Sequence, residues 1–325
     1  MMVSNAPTRS AAWSPFSRSS TPDREHLWTV LDSLPTPLSW ERVSLMQCVV
    51  ADDLSFPPHP TICTYGPTEW ISRKYFNVPA QTYEASYVNH FLQAMAMDGP
   101  RLGFLDCGSN FGTFEVHMAS RGHPTFLVDV NRDNLYLAHS SAKRNGWTRT
   151  ADGTPRMTLL NAAIGGSTGK KFVFNASGAG LRSTMHGLRS TKYNVGGFSF
   201  RDSDRVLNAR GANSKGATGE TMAVNVVPML GLNDIGKLLP FQRFAMKMDI
   251  QGWEETALLA AGTFFERYDV RLLMIELPHT YRIDQFLRAR GYLPWLSQRH
   301  KMVNKRVRVA LNYTQTKVAW WYKQG

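Results

Sequence analysis

Two acidic residues and two glycines near the centre of the chain have the types and spacing of a small-molecule binding turn. Asp106 ends an apolar run, Gly108 and Gly112 follow it, and Asp129 ends the next apolar run, 21 positions after Gly108. A carboxylate at the end of a strand, followed by a glycine turn and a helix, presents charge and backbone N–H groups to a bound cofactor. Either acid alone could simply face water at a strand end. Together with the glycines, they predict a cofactor site.

The turn favours S-adenosylmethionine over a dinucleotide. The dinucleotide fingerprint G-x-G-x-x-G needs its middle glycine because backbone closes on a pyrophosphate there, and Asn110 breaks that pattern. Adenosylmethionine carries no phosphate. Asp106 can bind the ammonium group of this cofactor, and Asp129 can accept hydrogen bonds from its ribose hydroxyls. The N–H groups at the start of the following helix can bind its carboxylate. Asn161, at the end of the third strand, is either an adenine-edge contact or a structural residue.

A second polar group follows a later apolar run. Lys247, Asp249 and Glu254 would lie beside the cofactor, and Asp249 is the first candidate for the base that takes a proton from a hydroxyl acceptor. His279 is the second candidate. Alternatively, Lys247 and Asp249 pair with each other, Glu254 only complements a helix dipole, and His279 is an ordinary loop residue. No spacing typical of metal ligands occurs, so no metal is expected.

Regular alternation of apolar strands and amphipathic helices must position these residues. It begins at residue 102 and predicts a doubly wound α/β domain with a largely parallel sheet. A helix over 83–97 is expected to cover this sheet, and Asn131 is expected to cap the second helix of the domain. The predicted strands are 102–107, 125–130, 157–164, 171–175, 222–227, 244–250, 271–277, 292–296 and 318–322.

The remaining segments suggest a division into three parts. Residues 1–23 form a flexible tail, for which an organelle transit peptide is an alternative; 24–98 form an N-terminal elaboration with a strand over 43–50; 99–325 form the main domain. Residues 176–220 are rich in Gly, Ser, Asn and Arg and break the alternation. We therefore expect them to be a long insertion that helps to shape the acceptor pocket.

Composition restricts the class of protein. The 325-residue chain has 43% hydrophobic residues and no apolar stretch long enough for a transmembrane helix. Its three cysteines, Cys48, Cys63 and Cys107, are far apart and odd in number, so we expect neither a disulfide framework nor a zinc site, in a reducing, cytoplasmic location. The net charge of +12 is concentrated near the C-terminus, either as a solvated face or as a surface for an anionic partner.

Two segments in the right order resemble the FkbM-type methyltransferases. The segment from Phe104 to Phe114 is similar to that family's DxGANxG opening, and Phe244 to Glu254 is similar to its KIDVEGxE motif. Leu272 to Leu277 resembles the IxxE strand that follows, and Tyr83-Glu84 the segment that precedes the opening. The resemblance covers about residues 62–322. It implies a class I methyltransferase fold with a seven-stranded sheet, S-adenosylmethionine as methyl donor, and commonly a hydroxyl of a sugar or natural product as acceptor.

The sequence therefore predicts an S-adenosylmethionine-dependent methyltransferase that O-methylates a sugar, another small molecule or a glycan. An RNA methyltransferase is the nearest alternative, because the chain is basic and has the aromatic cluster 320–322. We expect these aromatic residues to be core, and no motif for methylating base amino groups is present. A methyltransferase-like protein without catalytic activity is the third alternative. The sequence does not indicate the oligomeric state.

Overall fold

The computed structural model of the protein describes residues 26–98, except 39, 53, 55–56, 68, 70 and 78–80, and residues 102–169, 171–175, 224–276, 280–295 and 318–323. The strands are β1 (Leu27–Thr29), β2 (Gln47–Val50), β3 (Thr61–Thr64), β4 (Gly103–Cys107), β5 (Thr125–Asp129), β6 (Met157–Asn161), β7 (Ala163–Ile164), β8 (Lys171–Asn175), β9 (Val224–Leu230), β10 (Arg243–Met248), β11 (Asp269–Glu276), β12 (Tyr292–Trp295) and β13 (Val318–Lys323). The helices are α1 (Trp40–Ser44), α2 (Arg73–Phe76), α3 (Ala85–Asp98), α4 (Thr113–Ser120), α5 (Arg132–Arg144), α6 (Leu232–Leu238), α7 (Glu254–Leu259), α8 (Phe264–Arg267) and α9 (Tyr281–Arg288).

A mostly parallel central sheet confirms the predicted α/β class. Its strand order is β1-β6-β5-β4-β10-β11-β13-β12, with β13 antiparallel to both of its neighbours. The described part of this sheet has eight strands, one more than the seven predicted. The extra strand, β1, comes from the N-terminal elaboration and pairs antiparallel with β6 at the sheet edge. At three residues it is too short to give a readable alternation pattern.

Both faces of the central strands are buried, which explains their continuous apolar runs. On β4, Leu105 packs into the hydrophobic cluster on one face, and Phe104 packs with α3 into the cluster on the other. The aromatic residues Trp320 and Trp321 on β13 are also buried, on opposite faces. Their predicted place in the core is thus confirmed.

The helix predictions are also confirmed around the centre of the domain. Helix α3 lies within one or two residues of the predicted helix and buries Val88, Phe91 and Leu92 against the sheet. The Asn131 side chain caps α5 by accepting a hydrogen bond from the Asp133 N–H. This cap fixes the chain where it leaves β5 and enters the helix.

The order in which successive strands are added reverses at β4, and this reversal creates a crevice at the carboxyl ends of β4 and β10. From β4 the chain continues to β5 on one side, whereas β10 lies on the other side, parallel to β4. Asp106 pairs in register with Lys247, and Cys107 with Met248. Open α/β sheets bind ligands at this kind of switch point, beyond the carboxyl ends of the strands.

The N-terminal elaboration differs from two predictions. The expected strand over 43–50 is helix α1 in its first residues and strand β2 from Gln47 onward. The prediction of no disulfide is wrong, because Cys48 and Cys63 are bonded to each other. They stand directly opposite in the antiparallel β2–β3 hairpin, a pairing that their separation in sequence does not reveal. Cys107 is free and buried.

A small second sheet of order β7-β9-β8 holds the strand predicted over 171–175 and most of the one predicted near 222–227. The predicted tail 1–23, the insertion 176–220, His279 and the basic residues from Arg299 to Lys317 lie outside the described residues. Within the described ranges, no helix is long and apolar enough to cross a membrane.

Candidate active site

The turn after β4 uses left-handed backbone at three of its positions. Gly108, Asn110 and Gly112 have φ values of 86°, 52° and 87°. A Cβ on Gly108 would lie 1.8 Å from the Asp249 carbonyl oxygen, so no side chain fits there. Gly108 therefore lets the turn pack against the end of β10. The left-handed backbone at Asn110 is stabilised by its own side chain, whose oxygen accepts a hydrogen bond from the Phe111 N–H.

Asp106 and Lys247 form a buried ion pair across β4 and β10. Lys247 Nζ lies 3.0 Å from Asp106 Oδ1 and also donates to the Gly108 carbonyl oxygen at 3.1 Å. Burial alone would lower the pKa of Lys247, but the carboxylates of Asp106, Asp249 and Glu84 hold it above its ordinary value. The lysine thus stays charged, and its ion-pair partner is Asp106 rather than Asp249, the partner considered from the sequence.

A second carboxyl group, that of Glu115, lies against Asp106. Glu115 is the third residue of α4 and is fully buried. Burial, followed by the charge of Asp106, raises the pKa of Glu115 well above its ordinary value, and the two side chains share a hydrogen bond. A protonated Glu115 is therefore the donor and Asp106 the acceptor. Among the described residues, Asp106 Oδ2 receives no hydrogen bond from an N–H group.

Asp129 at the end of β5 is nearly saturated by donors of the protein. Its Oδ1 accepts hydrogen bonds from the Asn131 N–H at 2.7 Å and from Asn134 Nδ2 at 3.2 Å, and its Oδ2 accepts one from the Asn110 N–H at 2.8 Å. Each carboxylate oxygen has two acceptor positions, so one position remains on Oδ2. Burial raises the pKa of Asp129 to about 7, against the lowering effect of these hydrogen bonds.

Asn161 at the end of β6 uses its amide within the protein. Its Nδ2 donates to the carbonyl oxygens of Asp129 and Val130 at 3.0 and 2.8 Å, and its Oδ1 accepts from Arg132 Nε at 3.4 Å. The side chain is buried. Asn161 therefore holds the chain where it leaves β5, and a direct contact with adenine stays a prediction.

Glu254 closes the turn that follows β10. Its Oε1 accepts a hydrogen bond from the Ile250 N–H at 2.8 Å, and its Oε2 accepts one from the Gly252 N–H at 2.9 Å. Gln251 and Gly252 both have positive φ, and two bonded backbone groups stabilise such a turn. Burial raises the pKa of Glu254 to about 7. Glu254 therefore holds the backbone next to Asp249, and a catalytic role for Glu254 stays a prediction.

Asp249 meets a carboxyl partner on the next strand. Met248 pairs in register with Ile275, which brings Asp249 beside Glu276 at the carboxyl ends of β10 and β11. The two side chains share a hydrogen bond, and burial followed by the charge of Asp249 raises the pKa of Glu276 to about 9. A neutral Glu276 therefore donates to the Asp249 carboxylate. Gln251 Nε2 donates to Asp249 Oδ1 as well, at 2.5 Å.

Two residues that immediately precede α3 complete the cluster. Burial raises the pKa of Glu84 to about 7, and the charges of Lys247 and Asp249 act on it in opposite directions. Tyr83 shares a side-chain hydrogen bond with Glu84. The N-terminal elaboration thus contributes to the same edge of the sheet as Asp106 and Asp249. Among the described residues, no group of three or more His, Cys, Asp or Glu has the arrangement of a metal site.

The structure brings most of the predicted site residues together. Asp106, the glycine turn, Asp129, Lys247 and Asp249 lie at the carboxyl ends of β4, β5 and β10. Sequence reasoning did not select Glu84, Glu115 and Glu276 as site residues. Glu276 ends a buried apolar strand, and Asp106 stands one residue before the end of another, so the same signal could have identified Glu276. Glu84 lies in the segment that resembles the family's lead-in, whereas Glu115 carries no comparable signal.

Comparison with known proteins gives a family match and distant structural neighbours. The model of the methyltransferase FkbM domain family matches residues 106–294. Magnesium protoporphyrin IX methyltransferase from Synechocystis PCC 6803, solved with bound SAM, is 12% identical over 74% of this chain and 79% of its own, with a TM-score of 0.34. A 16S rRNA methyltransferase of T. thermophilus, solved with AdoMet and guanosine, is 10% identical over 89% of this chain and 53% of its own, with a TM-score of 0.37. No curated protein gives a significant match.

Because the family model spans more than half of the sequence, the chain belongs to the FkbM methyltransferase family and is an S-adenosylmethionine-dependent methyltransferase.

Proposed function

We propose that this enzyme O-methylates a hydroxyl group of a sugar, another small molecule or a glycan, with Asp249 as the base. The observation that carries the proposal is the hydrogen bond between Asp249 and the protonated Glu276, beside the glycine turn. A hydroxyl acceptor must lose a proton during methylation, and a carboxylate held by a neutral donor can accept it. When bound, S-adenosylmethionine supplies an activated methyl group.

The residues around the glycine turn fit this cofactor. Asp106 is fully buried, and its Oδ2 has no N–H donor among the described residues, which supports it as the acceptor for the ammonium group of the methionine end once the cofactor reaches it. The remaining acceptor position on Asp129 Oδ2 suits one ribose hydroxyl rather than the two expected from the sequence. The start of α4 offers N–H groups and a positive dipole to the cofactor's carboxylate.

The remaining polar residues hold the reacting groups in place. Glu254 fixes the turn that carries Asp249, and Glu276 donates to the Asp249 carboxylate and keeps its orientation. Asp249 then takes the proton that the acceptor hydroxyl loses. Holding the acceptor in line provides much of the rate, with effective molarities of about 10⁵ M or more.

The charge of the site favours a neutral acceptor over RNA. Glu84, Asp249 and Glu276 lie together at this edge, and Lys247 is already paired with Asp106. A phosphate backbone brought close to the Asp249 carboxylate would be repelled, whereas the protonated Glu276 adds no charge. The excess of basic residues in the whole chain is the observation in favour of RNA.

A methyl-transfer assay distinguishes these acceptors. The purified enzyme is incubated with S-adenosylmethionine carrying a labelled methyl group, and with either a panel of glycosides and polyhydroxylated small molecules or total RNA. We expect label on a hydroxyl-bearing small molecule or glycan, and loss of that label in Asp249→Asn. Transfer to RNA alone, retained in Asp249→Asn, would contradict the proposal.

A further inference from the structure

The disulfide-bonded hairpin of β2 and β3 is docked on helix α5 through its backbone. The Cys63 N–H donates to Ser141 Oγ at 2.8 Å, and the Thr61 N–H donates to Asn145 Oδ1 at 2.9 Å. Asn145 Nδ2 returns a hydrogen bond to the Thr61 carbonyl oxygen at 2.7 Å. Ser141 of α5 and the C-cap residue Asn145 thus bond the free edge of β3 and fix the hairpin relative to the helix.

This docking carries Tyr65 to the cofactor side of α5. Tyr65 follows β3 directly and is 4% exposed. Its hydroxyl donates to Asn134 Oδ1 at 2.7 Å, and Asn134 Nδ2 donates to Asp129 Oδ1 at 3.2 Å. Asp129 in turn accepts the Asn110 N–H of the glycine turn through its other oxygen. A chain of buried hydrogen bonds therefore runs from the hairpin to the turn.

The Asp129 carboxylate and the Tyr65 hydroxyl together determine which way the Asn134 amide points. If the amide were reversed, its Oδ1 would face the Asp129 carboxylate, and two acceptors would meet without a proton between them. With a hydroxyl donor on the other side, Oδ1 is satisfied by Tyr65, and Nδ2 is directed at Asp129. Removing only this hydroxyl would leave a fully buried amide oxygen short of its donor.

We infer that Tyr65 is a positioning residue of the cofactor site, which acts through Asn134 to hold Asp129 in place for the ribose. The inference rests on the proposed function, in which Asp129 Oδ2 accepts one ribose hydroxyl. Asn134 and the Asn131 N–H together occupy Oδ1, so that Oδ2 is the oxygen left facing the turn. The elaboration before the methyltransferase motifs thereby contributes to cofactor binding without touching the cofactor.

The test compares Tyr65→Phe with wild type in binding S-adenosylhomocysteine and its 2′-deoxy and 3′-deoxy ribose analogues, by calorimetry. We expect Tyr65→Phe to weaken binding of the parent ligand about tenfold. The same substitution should weaken binding of one of the two deoxy analogues far less, because that analogue lacks the hydroxyl that donates to Asp129. A role in stability alone would weaken all three ligands equally.

Tyr292→Phe is the matched control. Tyr292 is equally buried, and its hydroxyl donates to the Val270 carbonyl oxygen at 2.7 Å, at the opposite end of the sheet. We expect this variant to lose stability but to show no preference among the three ligands. Amide exchange in the ligand-free protein gives a second readout, since Tyr65→Phe should speed exchange of the Asn131 N–H and Tyr292→Phe should not.

A second variant covers the case in which Tyr65→Phe folds poorly. Asn134→Ala removes the same link from its other end, and its loss of affinity should be specific to the same ribose hydroxyl. Adding Tyr65→Phe to Asn134→Ala should cost little more. Equal losses for all three ligands, or no loss, would overturn the inference while wild-type binding leaves the proposed function intact. Failure of the wild type to bind S-adenosylhomocysteine would overturn both.

Discussion

Lys247 Nζ on β10 lies 3.0 Å from Asp106 Oδ1 on β4, and both side chains are buried. This ion pair joins the two sequence segments that carry the family resemblance, which are far apart in the chain. The two carboxylates at this edge therefore have different partners. Lys247 pairs with Asp106, whereas Asp249 accepts hydrogen bonds from Glu276 and Gln251. The pair is therefore a structural support of the cofactor site.

Removing the lysine should destabilise the protein. Lys247→Met leaves a buried carboxylate without its cation, and we expect a loss of about 3 kcal/mol in the free energy of unfolding. Without Lys247 the pKa of Asp106 rises above about 6, so the loss should be greater at pH 8 than at pH 5. Urea unfolding at the two pH values measures it.

The exposed pair between Arg282 and Glu255 provides the control for that prediction. Arg282→Met should cost less than about 1 kcal/mol at either pH, since a surface ion pair contributes little. An equal effect of the two substitutions would contradict a supporting role for Lys247.

Glu276 should make the stability of the ligand-free protein depend on pH. Its pKa is about 9 in the folded protein against an ordinary value of 4.5, so the folded state binds the proton more tightly than the unfolded state does. The stabilising contribution is complete below about pH 4.5 and is lost as the pH rises towards 9. Wild type should therefore lose stability relative to Glu276→Gln between pH 5 and pH 9 in thermal or urea unfolding. A constant difference over this range would show that Glu276 is not protonated beside Asp249.

Asp249→Asn should separate catalysis from cofactor binding. We expect kcat to fall at least about a hundredfold because the base is lost, whereas the Kd for S-adenosylhomocysteine changes less than about threefold. Single-turnover kinetics and calorimetry measure the two quantities. Glu254→Gln is the comparison, and it should disturb both, because Glu254 supports the turn against which Gly108 packs. A kcat of Asp249→Asn near the wild-type value would remove Asp249 as the base.

The Cys48–Cys63 disulfide should stabilise the fold. It closes a loop with a sequence separation of 15, for which loop entropy predicts about 3 kcal/mol. The Cys48→Ser, Cys63→Ser double variant should unfold at correspondingly lower urea concentration. Alkylation of the denatured, unreduced protein should label Cys107 alone. Labelling of all three cysteines would contradict the bond.

The sequence was informative where local pattern and chemistry coincide. Asp106, Gly108 and Asp129 sit at strand ends that apolar runs mark clearly, and the structure places them on one edge. The reason why position 108 must be glycine was only partly predicted. The Asp249 carbonyl oxygen that excludes a side chain there lies more than a hundred residues away in the sequence. Register between distant strands decides such contacts, and no local pattern encodes it.

Other parts of the site could not be predicted for the same reason. Glu276 becomes a partner of Asp249 only through the pairing of β10 with β11, and Glu115 becomes a partner of Asp106 only through the packing of α4. The disulfide was missed because an antiparallel hairpin, not sequence spacing, brings Cys48 opposite Cys63. Asn161 carries the polar group expected at a strand end, yet its amide donates to the backbone carbonyl oxygen of Asp129 at the end of β5.

The central claim is that the turn after β4 binds the adenosyl cofactor through Asp106. Calorimetry with S-adenosylhomocysteine on wild type and Asp106→Asn tests it most directly, with Asp269→Asn, at the amino end of β11 and thus at the opposite edge of the sheet, as a control. We predict micromolar binding by wild type and by the control, and affinity at least about tenfold weaker for Asp106→Asn, because a charged acceptor of the ammonium group is lost. Equal affinity of all three proteins, or no binding by wild type at tens of micromolar, would contradict the account.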